Sequence, residues 1–211
     1  DFLIPTGDVC RRPGPFDRIV LSSRVRLARN LQDSPFPGRA NKSERQNLLQ
    51  TMKPVIESLR SMKEGFSEEL SKLKRLEKQI LVERHLISRE LASKSQGSAI
   101  VLSVDETFCV MINEEDHLRM QAILPGLQIK EAWKSMNKMD TMLESKLPIA
   151  FSSDFGYLTA CPTNLGTGIR VSAMLHLPGL VMAEHMQQTI TAVNKLGLAV
   201  RGLYGEGTEA L

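Results

Sequence analysis

Apolar and polar positions along this chain follow two different rhythms. In NKSERQNLLQTMKPVIESLRSM the residues Leu48, Leu49, Met52, Val55, Ile56 and Leu59 recur at helical spacing. Asn41 or Ser43 can cap such a helix, and Pro54 is expected to kink or interrupt it. In SAIVLSVDETFCVMINE the residues Ile100, Val101, Leu102, Val110 and Ile112 form two short blocks, which predicts two strands around a tight turn at Val104–Asp105–Glu106. RIVLSS, Arg18 to Ser23, predicts a short strand running into the basic cluster SSRVRLARN, and the prolines and glycine of DSPFPGRA predict a loop. KEGFSEELSKLKRLEKQILVERHLISRELASKS is densely charged with sparse apolar positions, and predicts further helix with a solvated face.

The second half continues in the same way. HLRMQAILPGLQIKEAWKSMNKMDTMLESKL predicts a short element, a Pro-Gly break and an amphipathic helix that carries the only tryptophan, Trp133. IAFSSDFGYLTACPTNLGTGIRVSAMLHLPGL passes from strand to a Gly/Thr-rich loop and back to strand or helix. AEHMQQTITAVNKLGLAVRGLYGEGTEAL predicts a helix ending near Gly197, a strand LAVRGLY and a Gly-rich loop. The mixture implies an α+β fold, an antiparallel β-sheet flanked by helices. Residues 1–17, rich in Pro and Gly, are expected to form an extended lead-in to a domain over 18–211.

Composition narrows the classes without choosing one. The 211 residues suffice for one domain with a sizeable core, and 42% hydrophobic with 24% charged content is ordinary for such a domain. A formal net charge of +3 identifies neither a nucleic-acid nor a membrane partner, and the few scattered aromatics speak against a base-stacking platform. Three distant cysteines, Cys10, Cys109 and Cys161, argue against a disulfide framework or a zinc site, and favour a reducing compartment. With no secretory segment and no apolar run long enough to span a bilayer, the cytoplasm is the expected location.

Candidate chemistry lies in arginines and carboxylates. Arg24 and Arg26 have strand spacing and so share a face, where two guanidiniums repel unless an anion lies between them. An exposed basic edge strand is the plainer reading of that pair alone. Arg119, Arg170 and Arg201 stand at ends of apolar segments, the last beside glycines that permit close approach of a ligand. Together the five arginines make an anion pocket plausible, although spacing does not establish that they converge. No GxxxxGK[ST] occurs, and GEGTEAL lacks the final glycine of a dinucleotide fingerprint. Glu115 and Glu206 sit at strand-to-loop junctions near these arginines, where acids make ion pairs or grip a guanidinium. Cys161 precedes a proline at a loop mouth, whereas Cys10 and Cys109 read as structural thiols, and no histidine or cysteine grouping has metal-ligand spacing.

Four segments, VLSSRVRLARN, INEEDHLRMQ, CPTNLGTGIRVSAMLHLP and VRGLYGEGTE, together resemble the ATP:guanidino phosphotransferase family in order and spacing, from about Arg18 to Leu211. VERHLIS followed directly by SAIVLS, without the longer aromatic-rich insertion of creatine and arginine kinases, makes the chain most like the bacterial protein-arginine kinases. The resemblance implies a guanidino-kinase catalytic domain, C-terminally incomplete, and ATP as phosphoryl donor, with Mg2+ held through the nucleotide phosphates. It implies that Ser22, Ser23, Arg24, Val25 and Arg26 wrap the phosphates, that His85 contacts the nucleotide, and that Arg119 and Arg170 complete the clamp. Val171, Ser172, Ala173 and Met174 would line the nucleotide with Arg170. Arg201, Gly202, Leu203, Tyr204, Gly205 and Glu206 would form the γ-phosphate loop. Glu115 would be the catalytic carboxylate with Glu206 as its partner, and Cys161 would bear on substrate placement without acting as a covalent nucleophile. Met174, Tyr204 and Gly207 depart from creatine and arginine kinases in the direction of the bacterial branch.

The activity implied is phosphorylation of arginine side chains in proteins with exposed arginines, marking them for regulated proteolysis in a bacterial stress response. An activator protein, Clp-type protease machinery and a homodimer are partners that the resemblance allows. Nucleic acid and membrane are not among the partners expected. A small-guanidine phosphagen kinase, and a non-catalytic pseudokinase or binding fragment, are the alternatives.

Overall fold

The computed structural model describes Val9, residues 12–94 and residues 96–202. Its longest strand among the described residues is β1, Val20–Arg29, where Val25 and Leu27 are buried and alternate with Arg24 and Arg26. A strand whose two faces differ this sharply needs apolar packing on one side only. β1 lies inside an antiparallel six-stranded sheet of order β2-β3-β4-β5-β1-β8. The other strands are β2 (Phe66–Glu69), β3 (Ala99–Leu102), β4 (Phe108–Ile112), β5 (Leu118–Pro125) and β8 (Ile169–Leu175), while β6 (Phe151–Ser152) and β7 (Gly156–Tyr157) form a separate hairpin.

The alternation divides the core. Val25 and Leu27 of β1, Leu118, Met120 and Ala122 of β5, Val110 and Ile112 of β4, and Val101 of β3 join one buried cluster. Helices α1 (Lys42–Glu57) and α4 (Ile129–Glu144) cover it with Leu49, Met52 and Ile56, and with Ala132, Met136, Met139 and Leu143. The opposite face carries Ile100, Leu102, Cys109 and Met111, packed against Leu81, Leu86 and Leu91 of the short helices α2 (Arg75–Glu83) and α3 (Arg89–Ser93) and their junction. Burial of such side chains contributes roughly 1.5–3 kcal/mol each before chain entropy is counted. Helices α5 (Pro178–Met182) and α6 (Met186–Lys195) follow β8.

The α+β expectation, the strand pair around Val104–Glu106 and the helix after the Pro-Gly break are all found. Asn41 caps α1 in a reciprocal capping box: its Oδ1 accepts from the Glu44 amide at 2.9 Å, and its own amide donates to Glu44 Oε2 at 2.7 Å. Asn41→Ala should lower stability by about 1 kcal/mol, read as a shifted urea midpoint at unchanged slope.

Four local expectations need correction. The first strand extends to Arg29 and does not stop near Ser23, because β5 and β8 pair along most of its length. Pro54 does not interrupt α1: the helix runs to Glu57, since its last turn loses only the bond that the Pro54 nitrogen cannot donate. FSEE is a strand, not helix. It adds to the sheet edge with Phe66 opposite Leu102 and Glu69 opposite Ala99, and tertiary pairing overrides a weak local helical preference. In the predicted strand LAVRGLY, Leu198 to Arg201 are irregular and Gly202 makes an isolated bridge; Leu203 and Tyr204 lie outside the described residues.

Candidate active site

Register decides which arginines meet. Arg26 lies opposite Arg170 on β8 and opposite Gln121 on β5; Arg24 lies opposite Ser172 and Ile123; Ala28 lies opposite Arg119. Directly opposed residues in antiparallel strands share a face. Arg24, Arg26, Arg119 and Arg170 therefore project from the sheet face turned away from α1 and α4. α2 and α3 cover the β2–β4 part of that face, and the arginines stand on the part formed by β5, β1 and β8.

The four differ in support. Arg119 Nη1 is 2.5 Å from Glu114 Oε2, an ion pair whose acid is fully buried. Arg24 Nε reaches Ser172 Oγ at 3.4 Å, and Arg170 Nη2 donates to Thr163 Oγ1 at 3.2 Å. Arg26 Nε is buried without a hydrogen-bond partner among the described residues. Burial, reinforced by Arg24, Arg119 and Arg170, pushes the Arg26 guanidinium down to about 9. It remains charged at neutral pH, so the shift measures crowding of like charges in a poorly solvated place. Such an array has positive potential in excess and planar donors suited to phosphate oxygens.

The acidic loop sits at the end of the same strands. Asn113, at φ 56, turns the chain out of β4, and its amide donates to the His117 carbonyl at 2.9 Å, closing a tight loop into β5. Glu114 points inward to Arg119 and also accepts from the Ser88 hydroxyl. Asp116 is buried too, accepting from Asn30 Nδ2 at 2.6 Å and from the Ala160 amide at 2.7 Å. Glu115 differs from both: it is half-buried, with neither a hydrogen bond nor an ion pair among the described residues. Burial raises its carboxyl pKa, with Asp116, Glu90 and Glu114 adding to the rise and Arg119 opposing it. A carboxylate held in this way has unused acceptor capacity and raised basicity, as a proton acceptor requires.

Cys161 is brought to the same end by the acidic loop itself. Asp116 anchors the Ala160 amide, next to Cys161 in the chain. The Cys161 thiol lies 3.0 Å from Thr163 Oγ1, the oxygen that Arg170 also contacts. His85, at φ 58 between α2 and α3, is drawn to the arginine face because its carbonyl accepts from Gln121 Nε2 at 3.0 Å, and Gln121 is the cross-strand neighbour of Arg26.

A family model, ATP:guanido phosphotransferase, C-terminal catalytic domain, matches residues 47–211. The chain belongs to that family. Among curated guanidino-kinase relatives, the protein-arginine kinase of Pelotomaculum thermopropionicum is 52% identical over 201 residues, covering 94% of this chain and 56% of its own length. The protein-arginine kinase of Brevibacillus brevis is 44% identical over 209 residues, covering 98% and 58% respectively. The chain thus spans little more than half the length of the relatives it matches. Of solved guanidino-kinase structures, the duplicated taurocyamine kinase of Schistosoma mansoni superposes at TM-score 0.82 with 29% identity, over 100% of this chain and 30% of that one. Lombricine kinase superposes at 0.75 with 27% identity, over 93% and 58%.

The guanidino-kinase resemblance distributes its residues unevenly over this geometry. Ser22, Arg24 and Arg26 of β1, Arg119 of β5, and Arg170, Ser172 and Met174 of β8 share the arginine face. Ser23 and Val25 turn the other way: Val25 is in the core, and Ser23 Oγ donates to the Gly126 carbonyl at 2.8 Å. Val171 and Ala173, opposite Val25 and Ser23, lie on that side as well, so only the backbone of these residues belongs to the arginine face. Arg201 is exposed after α6. Leu203, Tyr204, Gly205 and Glu206 lie outside the described residues, as does Cys10; Cys109 is the buried structural thiol expected.

Gln121, Asn30, Ser88 and Thr163 organise this site without having been singled out in the sequence. Gln121 had one available signal: it is a polar residue within a largely apolar stretch, and a buried amide must find partners, whereas Asn30 is hidden among the polar neighbours Arg29, Gln32 and Asp33. Ser88 and Thr163 had none, since both resemble ordinary loop hydroxyls.

Proposed function

We propose that this chain carries the catalytic core of a protein-arginine kinase, which transfers the γ-phosphate of ATP to arginine side chains of proteins and so marks them for regulated proteolysis. The observation that carries the reading is the arrangement of four arginines on one sheet face, with Glu115, a carboxylate of raised pKa without a hydrogen-bond partner among the described residues, at the end of the same strands. The names of the relatives at 44–52% identity support it.

The chemistry follows from these groups. A protein arginine is protonated at neutral pH and is a poor nucleophile until it loses a proton. Glu115 orients the guanidinium and accepts its proton as the new N–P bond forms and the bond from γ-phosphorus to ADP breaks. Arg24, Arg26, Arg119 and Arg170 hold the phosphates in place and offset the charge on the transferred group, so positioning and electrostatics supply most of the rate. Glu206 would share the guanidinium, and Cys161 would shape its seat from the loop that Asp116 anchors. Among the described residues no three His, Cys, Asp or Glu side chains group as a metal cluster, and the facing side chains are cationic. This donor set fits Mg2+ carried on the nucleotide phosphates, where it supplies further charge neutralisation.

Incubation with ATP, Mg2+ and an unfolded arginine-rich protein should give acid-labile phosphoarginine. The second reading, a small-guanidine kinase, is favoured by the taurocyamine and lombricine kinase superpositions. Phosphorylation of free arginine or taurocyamine, with none of protein, would replace the first reading by it. An activator, Clp-type protease machinery and a homodimer remain part of the proposal, to be sought by co-purification from cytoplasm. Among the described residues no helix is long and apolar enough to cross a membrane.

The raised pKa of Glu115 predicts the shape of the pH profile. Activity needs the ionised carboxylate, so the acid limb of kcat/KM should lie above the pH at which an ordinary glutamate protonates. Glu115→Asp should move that limb, and a limb at the ordinary position would remove Glu115 as the base. The effect on stability has the opposite sense. A raised folded-state value favours the protonated form, so this group's contribution is present in acid and is lost as pH rises through that value.

A further inference from the structure

The outer side of α2 and α3 forms a groove of about 500 Å3 that plays no part in the site above. Leu73, Val82 and Ala92 give it a half-buried apolar floor, and Arg75, Lys78 and Arg89 line it with positive charge. Glu83 is the one acid in the lining. Bare phosphate or a nucleic-acid backbone would use the cations and leave the floor uncovered. A purely apolar partner would make no use of the positive lining. A segment that is both acidic and apolar satisfies both.

Two connections run from the groove walls to Glu114. Ser88, the N-cap of α3, donates to a Glu114 carboxylate oxygen. Lys78, in the groove, donates from Nζ to the Lys94 carbonyl at 2.9 Å, and Lys94 Nζ in turn donates to the Glu114 carbonyl. Glu114 holds Arg119. We propose that the groove between α2 and α3 docks an acidic, amphipathic peptide segment of a partner protein, and that its occupancy is transmitted to Arg119 through Glu114. Docking stands independently of the phosphoryl-transfer reading; only its transmission to Arg119 involves the candidate active site.

The probe is a fluorescein-labelled peptide alternating Glu and Leu, titrated with the 211-residue chain and followed by anisotropy. Binding should weaken with salt, as expected for exposed charges. Arg75→Glu/Arg89→Glu should weaken it about tenfold or more, while Arg24→Gln/Arg26→Gln, on the other part of the sheet face, should leave it in place. Arg75 and Arg89 are exposed, and circular dichroism checks that the variant is folded. No binding, undiminished binding by the groove variant, loss in the Arg24/Arg26 variant instead, or equal binding of a Lys/Leu peptide would each overturn the docking site. Anionic lipid vesicles bound where the peptide is not would replace the peptide by a membrane surface. Peptide should also change the affinity for a fluorescent ATP analogue, and Lys94→Gln should reduce that change; an unchanged affinity in the unsubstituted protein would overturn the transmission to Arg119.

Discussion

Glu115→Gln should abolish most phosphoryl transfer, by about 10²–10⁴-fold, while leaving nucleotide binding in place. Glutamine keeps the size and one carbonyl oxygen but cannot take a proton from a guanidinium. The fold should tolerate it, because Glu115 makes no hydrogen bond or ion pair among the described residues and its ordinary solvation is already reduced. Its neighbours provide the contrast. Glu114→Gln would weaken the buried pair with Arg119, and Asp116→Asn would disturb the junction with Asn30 and Ala160, so both should affect stability as well as rate. Stopped-flow turnover beside equilibrium nucleotide titration separates the cases. Full activity in Glu115→Gln would remove it from the chemistry.

The largest loss of stability is expected at Asp140→Ala. Arg29 and Asp140 form a two-pronged pair, Nε to Oδ1 at 3.1 Å and Nη2 to Oδ2 at 2.6 Å, with side-chain exposures of 3% and 7%. Arg29 also donates to the carbonyls of Ala28 and Thr167, at 2.8 and 3.0 Å, and lies 3.4 Å from the Tyr157 ring centroid. Removing the acid alone leaves a buried guanidinium without its counter-charge, a loss of about 3–5 kcal/mol. Replacing both partners, as Arg29→Met/Asp140→Leu, should be far milder, because no charge is then stranded. Denaturant titration of the single and double variants measures the difference.

Much of this site was legible because alternation in a strand is a local property. Arg24 and Arg26 could be assigned to one face from their spacing alone. That Arg119 and Arg170 join them depends on register across β5, β1 and β8, where a shift of one residue would have turned them to the core. Local pattern carries no such information; the family resemblance supplied it. FSEE escaped for a related reason: four residues cannot display a period, and only pairing with β3 makes them a strand. In the acidic triplet Glu114 holds Arg119, whereas Asp116 reaches forward to Ala160, a contact 44 residues away that nothing nearby announces.

The crowding around Arg26 also bears on how long the folded state lasts. Arg26, buried and faced by Arg24, Arg119 and Arg170, is held at a cost in free energy, which a polyanion seated beside it would offset. Any such ligand binds the folded chain and not the unfolded one, so its concentration adds directly to stability. The supply of nucleotide would then set not only how fast the protein works but how readily it unfolds and becomes open to degradation.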